Sequence, residues 1–235
     1  MKNLVIPDFP TGCAALPVAQ RVVHLPVEGA ELTGDLVIPA GATGVVLFAH
    51  GSGSSRYSPR NQHVARMVQD AGMATILFDL LTDAEEEEDA FTNNLRFNIE
   101  LLAARLVGAT RWVRQLPALQ NLGIGYFGAS TGAAAALVAA AELPDVIRAV
   151  VSRGGRPDLA GPALRRVSAP TLLIVGGQDH LVIQLNREAC ARLRCAKRLV
   201  TVPGATHLFE ETGALDQVGQ LAAEWFKAHL SPAPP

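Results

Sequence analysis

Aromatic residues are scarce, at 5% of 235 residues. So few rings cannot build the stacking platforms on which single-stranded nucleic acid is held. A basic surplus is missing as well: 20 Lys and Arg stand against 22 Asp and Glu, for a net charge of −2, and the cations form no run. That removes the electrostatic footprint of a nucleic-acid or anionic-membrane binder. Cysteine is sparse. Cys13, Cys190 and Cys195 are an odd set with no histidine at metal-ligand spacing, so neither a disulfide framework nor a zinc site is expected. No run reaches the ~20 apolar residues needed to cross a bilayer. The N-terminal stretch MKNLVIPDFPTGC is broken by Pro7, Asp8 and Pro10 where a signal peptide would carry its apolar core. A cytoplasmic location is therefore expected.

What is present is ample core material: 49% of residues are hydrophobic and only 18% charged. The length suits a single domain over residues 1–230, with the Ser-Pro-Ala-Pro-Pro tail at 231–235 frayed. From Gln20 to Pro39, two strand-like runs flank turn residues Glu28 and Gly29, which reads as a β-hairpin. After it, strand-like runs (the continuously apolar VVLFAH, then MATILFD, LGIGYF, IRAVVS, APTLLIVG and AKRLVTV) alternate with helical patterns. Those helices are expected over about Asn61 to Ala71, from an N-cap at Thr92 towards Leu116, and over STGAAAALVAAAEL. A short one is expected near Gly161 to Arg166, and others over about Ile183 to Leu193 and Gly213 to Leu230. The acidic run Asp83 to Asp89 reads as a solvated loop ahead of the Thr92 helix. Strands without polar alternation are covered on both faces. The fold class is thus α/β, a mostly parallel sheet of roughly eight strands with helices on both sides. In such sheets ligands bind beyond the carboxyl ends of the strands.

At one such end LGIGYF runs into Gly128-Ala129-Ser130-Thr131-Gly132 and then into an alanine-rich helix. This is G-x-S-x-G in a strand–turn–helix setting. The sharp turn lifts the Ser130 hydroxyl clear of the sheet, and small neighbours let strand and helix approach. The serine then faces a helix N-terminus, where unpaired N–H groups favour negative charge. A hydroxyl is a weak nucleophile and needs a base, and the base needs a carboxylate to orient it. Asp179 follows the strand TLLIVG and His207 follows RLVTV, both past a carboxyl end and both in the required order after Ser130. His180, beside Asp179, is the rival base, but it is poorly placed to face both that carboxylate and the serine.

The Thr131 backbone N–H is one expected oxyanion donor. The second is expected from the loop His50-Gly51-Ser52-Gly53-Ser54-Ser55-Arg56, from the N–H of Ser52 or alternatively Gly53, with His50 bracing the loop. This loop lacks the lysine of a phosphate-binding G-x-x-x-x-G-K-[ST]. Arg153 is a further candidate for a substrate contact, with a salt bridge to Asp158 or another loop acid as the competing expectation.

HGSGSSR, GASTG, GGQDHLV and GATHLF, in this order, resemble the α/β-hydrolase superfamily, and within it the dienelactone hydrolase-like branch. The resemblance implies a compact domain without a large cap and acyl transfer that requires no metal or organic cofactor. It departs at the nucleophile. Dienelactone hydrolases proper use cysteine, whereas Ser130 stands at this elbow, so carboxylic ester hydrolysis is the expected reaction. The partner expected is a small-molecule ester. An acyltransferase or peptidase on the same three residues, or a non-catalytic binding protein on this scaffold, are the alternatives. The short segment Arg153 to Ala169 leaves no room for a helical lid, which points to short acyl groups.

Overall fold

The structure, a computed structural model, describes residues 19–27 and 29–231. Cys13, the turn residue Glu28 and residues 232–235 of the tail lie outside the described residues. The hairpin forms as expected. Strands β1 (Ala19–Val27) and β2 (Ala30–Ile38) pair antiparallel from Ala19↔Ile38 to Val27↔Ala30, with Gly29 at φ 76° in the turn. The chain continues through β3 (Gly44–Ala49), α1 (Pro59–Asp70), β4 (Met73–Phe78), α2 (Asp83–Thr92) and α3 (Ile99–Val113). It then runs through β5 (Gly123–Ala129), α4 (Thr131–Glu142), β6 (Ile147–Arg153), β7 (Thr171–Gly176), α5 (His180–Arg192), β8 (Lys197–Val202) and α6 (Ala214–Leu230).

The eight strands lie in the order β1-β2-β4-β3-β5-β6-β7-β8. β2 meets β4 antiparallel, and every pairing from β4 across to β8 is parallel. All six residues of β3, β4 and β7 are buried, as strands sandwiched between helices require. On one face Val64, Val68, Val218 and Phe226 of α1 and α6 pack on Phe48, Phe127 and Val151. The Phe48 and Phe127 rings lie 4.8 Å apart. On the other face α3, α4 and α5 bring Leu106, Leu137 and Ala189 against Leu47, Tyr126 and Leu173. Burying each large side chain of this kind stabilises the fold by about 1.5–3 kcal/mol. Tyr126, fully buried, satisfies its hydroxyl on Thr110 Oγ1 at 2.6 Å.

Two expectations are corrected. The acidic run is helix α2, not a loop. Thr82 caps it by accepting the Glu85 N–H at 3.2 Å, while Glu85 Oε2 accepts the Thr82 N–H at 2.8 Å. Acidic residues in the first turn also suit the positive end of the helix dipole. Thr92, expected as an N-cap, is the last residue of α2, and Asn98 caps α3 through the Leu101 N–H at 3.0 Å. Between the two helices, Asp89 is buried and binds the backbone N–H groups of Leu95 (2.6 Å) and Arg96 (3.2 Å) and the Arg96 guanidinium. That carboxylate lets the chain turn sharply where the first turn of the Thr92 helix was expected. The segment from Arg153 to Ala169 holds only a 3-10 stretch, Pro157–Arg166, kinked at Gly161. Among the described residues no helix is long and apolar enough to cross a membrane.

Candidate active site

The turn after β5 is as tight as the sequence implies. Ser130 takes φ 50° and ψ −121°, a region that L-residues rarely occupy. Its N–H donates to the Arg153 carbonyl at 3.2 Å, and its own carbonyl accepts from Arg156 N at 3.0 Å and Ala133 N at 3.1 Å. A Cβ on Gly128 would lie 2.7 Å from Ala133 N, and one on Gly132 would fall on the carbonyl oxygens of Ala49 and His50. The second glycine is thus demanded by neighbouring β3 as much as by the turn itself. Thr131, at the first position of α4, has an N–H with no partner among the described residues, the expected state of a helix-terminal donor.

Asp179 and His207 meet. The loops after β7 and β8 prolong the pairing of their strands: Gly177 N–H donates to Val202 O at 2.8 Å and Gln178 N–H to Ala205 O at 2.9 Å. Gly176 permits this, since a Cβ there would strike the Ala205 and Thr206 carbonyls. His207 Nδ1 then donates to Asp179 Oδ2 at 2.7 Å, which fixes the tautomer and leaves Nε2 as a base. His180, the rival, opens α5 on an exposed face and makes no such contact. Ser130 and His207 flank one segment: Ser130 N–H binds Arg153 O, and a Cβ on the next residue, Gly154, would lie 3.6 Å from His207 Cε1. Among the described residues Ser130 Oγ hydrogen-bonds no protein group, so it is unengaged.

The loop after β3 adjoins the elbow, with a Cβ on Gly51 falling 3.0 Å from Ser130 Cβ. His50 braces it as expected: Nδ1–H donates to Gly51 O at 2.9 Å and Nε2 accepts the Leu80 N–H at 3.1 Å. Burial pushes this imidazole below its ordinary value, against the opposing Gly51 hydrogen bond and the charge of Asp79. The Ser52 expectation needs correction. Its N–H does not face open space but donates to Thr131 Oγ1 at 2.9 Å, because that hydroxyl reaches across from the start of α4. Beside the loop lies a cavity of about 330 Å³, bounded by Ser54, Leu80, Leu81, Glu86, Asp89 and Arg96 among others. Burial raises the Glu86 carboxyl above its ordinary value, aided by Asp79 and Asp83.

Arg153 overturns the salt-bridge expectation. Asp158 is held instead by Arg156, at 2.9 and 2.8 Å. Arg153 is buried, its Nη2 lies 3.4 Å from Asn61 Oδ1, and its Nε and Nη1 are unpaired. Burial, then the charge of Arg60, lowers its pKa to about 10. Among the described residues no three His, Cys, Asp or Glu side chains are grouped to hold a metal ion.

Residues 32–230 match the profile of the dienelactone hydrolase family. The chain belongs to that family. A crystal structure of dienelactone hydrolase from Anabaena variabilis is 62% identical to it, with a TM-score of 0.89 over 91% of this chain and 99% of that one. Est1E from Butyrivibrio proteoclasticus shares the fold at 16% identity, with a TM-score of 0.73 over 87% of this chain and 97% of its own. A Mycobacterium tuberculosis protein named as a candidate phosphoribosyl transferase is 53% identical over 214 residues, 91% of this chain but 47% of that protein. The chain thus spans about half the length of the curated relatives it matches.

As a member of this family, the chain places its polar groups where the fold expects a ligand, at the carboxyl ends of β3, β5, β6, β7 and β8. Three features of the site escaped the sequence reading. The Thr131 hydroxyl bonds the Ser52 amide. Asp89 and Arg96 wall the cavity. Glu211 Oε1 holds the Thr206 N–H at 3.0 Å, steadying the loop that carries His207. Only the Asp89–Arg96 corner left a sequence signal, the capping-box residues Thr82 and Glu85 at the start of its helix.

Proposed function

We propose that this chain is a serine hydrolase that cleaves carboxylic esters of small substrates through an acyl-enzyme on Ser130. The observation that carries the reading is the 2.7 Å contact between His207 Nδ1 and Asp179 Oδ2, which leaves Nε2 free to act as a base, with His207 and the strained Ser130 both adjoining the Arg153–Gly154 segment. His207 takes the Ser130 proton as Oγ attacks the ester carbonyl. The carbonyl oxygen becomes an oxyanion facing the orphan Thr131 N–H at the head of α4. Collapse expels the alkoxide, which leaves as the alcohol with the proton held by His207. Water, deprotonated by the same nitrogen, then attacks the acyl-enzyme, and collapse of that second intermediate returns the proton to Ser130 and releases the acid. Asp179 stabilises the imidazolium throughout. No step calls for a metal or an organic cofactor. The partner is a small-molecule ester, with neither nucleic acid nor membrane involved, and the setting is the cytoplasm.

The transferase name of the longer mycobacterial protein is not carried over. This chain matches 47% of it, and residues 32–230 of this chain are hydrolase-family sequence. The test is a panel of p-nitrophenyl esters and lactones against wild type and Ser130→Ala, with fluorophosphonate labelling. Wild type is expected to turn over and be labelled. Ser130→Ala should stay folded, resist labelling and lose on the order of 10⁴-fold or more in kcat. Equal turnover by the two proteins would defeat the assignment.

A further inference from the structure

We propose that the hydroxyl of Thr131 is itself an oxyanion donor, fed by the Ser52 amide in a two-link relay. The inference rests on the reading of Ser130 as nucleophile and adds a second donor beside the Thr131 N–H. A threonine hydroxyl has one proton and two lone pairs. Here one lone pair takes the Ser52 N–H at 2.9 Å. Among the described residues no group accepts the proton. Yet Thr131 is only 4% exposed, so bulk water does not serve it freely. A buried hydroxyl proton without an acceptor is costly. The acceptor that fits is one the protein lacks and a reacting ester supplies, a carbonyl oxygen gaining negative charge over Ser130.

Placement supports the same conclusion. Thr131 directly follows Ser130 and opens α4, so one residue presents two donors side by side, its orphan N–H and its O–H. An amide that donates to a hydroxyl makes that hydroxyl a stronger donor in turn, because successive hydrogen bonds polarise one another. Ser52 N–H thereby acts through Thr131 instead of touching the oxyanion. No proton changes owner: the hydroxyl keeps its hydrogen while the oxyanion forms, and the bond weakens again when the intermediate collapses. The opposite arrangement is a plug, in which Oγ1 occupies the oxyanion position and must rotate away before substrate binds.

The two arrangements predict opposite kinetics. The experiment measures kcat and KM for p-nitrophenyl butyrate and the Ki of phenylboronic acid on wild type, Thr131→Val, Thr131→Ala and Thr131→Ser, each checked by circular dichroism. The relay predicts that Thr131→Val loses on the order of 10²-fold in kcat with little change in KM, the scale of one lost oxyanion donor. Boronate affinity should fall in parallel, and Thr131→Ser should recover most of the loss. Should Thr131→Val fail to fold, the Ala and Ser variants decide: alanine impaired and serine rescued upholds the relay. An alanine or valine variant as active as wild type, or more active, means a plug and overturns it. The nucleophile is tested separately by labelling of wild type. A labelled enzyme with unimpaired Thr131 variants refutes the relay alone, whereas an unlabelled one removes the relay together with the reading beneath it.

Discussion

His50 Nε2 accepts the Leu80 N–H at 3.1 Å and so ties the loop after β3 to the loop after β4. The contact requires a neutral ring. A proton on Nε2 would face the amide hydrogen, with the loop beside Ser130 as the casualty. Burial holds the His50 pKa below its ordinary 6.5. Between that value and the lower folded one, the unfolded chain binds the proton and the folded one does not. Stability is therefore full above about pH 6.5 and is lost as pH falls towards the folded pKa. His229, lowered by burial too, acts in the same direction. Urea unfolding should show a falling free energy from pH 7.5 to 5.5, at most about 1.4 kcal/mol per pH unit from His50, with solvent screening leaving the half-exposed His229 a smaller share. Asp35 and Glu86, whose pKa values are raised, work in the opposite sense but at more acidic pH. In a His229→Gln background the slope should persist, and a flat or rising profile there would contradict the His50 account.

Replacing His207 by alanine should abolish ester turnover, while His180→Ala should leave it within about threefold, the small effect typical of a surface change. The bond to Asp179 belongs to His207, and His180 is exposed. Asp179→Asn should keep the fold but hold the imidazole in the wrong tautomer, with a loss of up to ~10⁴-fold in kcat. Steady-state kinetics on the three variants, with thermal melts, provide the check. An exchange of behaviour between the two histidines would force a different base.

Arg153 remains protonated at neutral pH, with its pKa at about 10, yet lacks a carboxylate partner. Such an interior cation costs stability, and its unpaired Nε and Nη1 suit an anionic group. Arg153→Met is expected to melt no lower than wild type while losing about tenfold more kcat/KM on a p-nitrophenyl ester bearing a carboxylate than on a neutral one, the value of a charged hydrogen bond. Parallel losses on both esters would make the residue purely structural.

Acyl chains should be short. The cavity beside the loop after β3 holds about 330 Å³ and its walls include Glu86, Asp89 and Arg96. Each CH₂ is worth ~0.8 kcal/mol only where it is buried. In a p-nitrophenyl series from acetate to palmitate, kcat/KM should peak by about butyrate or hexanoate, with no jump above the micelle concentration. A maximum at palmitate, or interfacial activation, would reveal an apolar groove elsewhere.

The alternation of mainly apolar runs with helical periodicity placed β3 to β8, and turn residues Glu28 and Gly29 placed the hairpin of β1 and β2; the pattern is clearest in β3, β4 and β7, where a sheet covered on both faces leaves few polar residues. The positions of Ser130, Asp179 and His207 followed from the same rule that ligands gather past strand ends. The region from Thr82 to Asn98 was misread for a physical reason. Its helix buries almost nothing but Asp89, so it has no apolar stripe, and only the Thr82–Glu85 capping box marks it in sequence. Contacts between side chains and distant backbone were not legible at all. Neither Ser52 with Thr131, separated by 79 positions, nor the partnerless burial of Arg153 leaves any trace in local pattern.

The glycine two residues after the nucleophile carries a lesson for protein engineers. Gly132 is bare because carbonyls of Ala49 and His50 occupy the space a methyl group would need. The pentapeptide around Ser130 is therefore not a portable cassette. Grafted onto another α/β scaffold, it would need the end of β3 transplanted alongside it, at the same separation, or the acceptor sheet would splay to admit the turn and its serine would be aimed elsewhere.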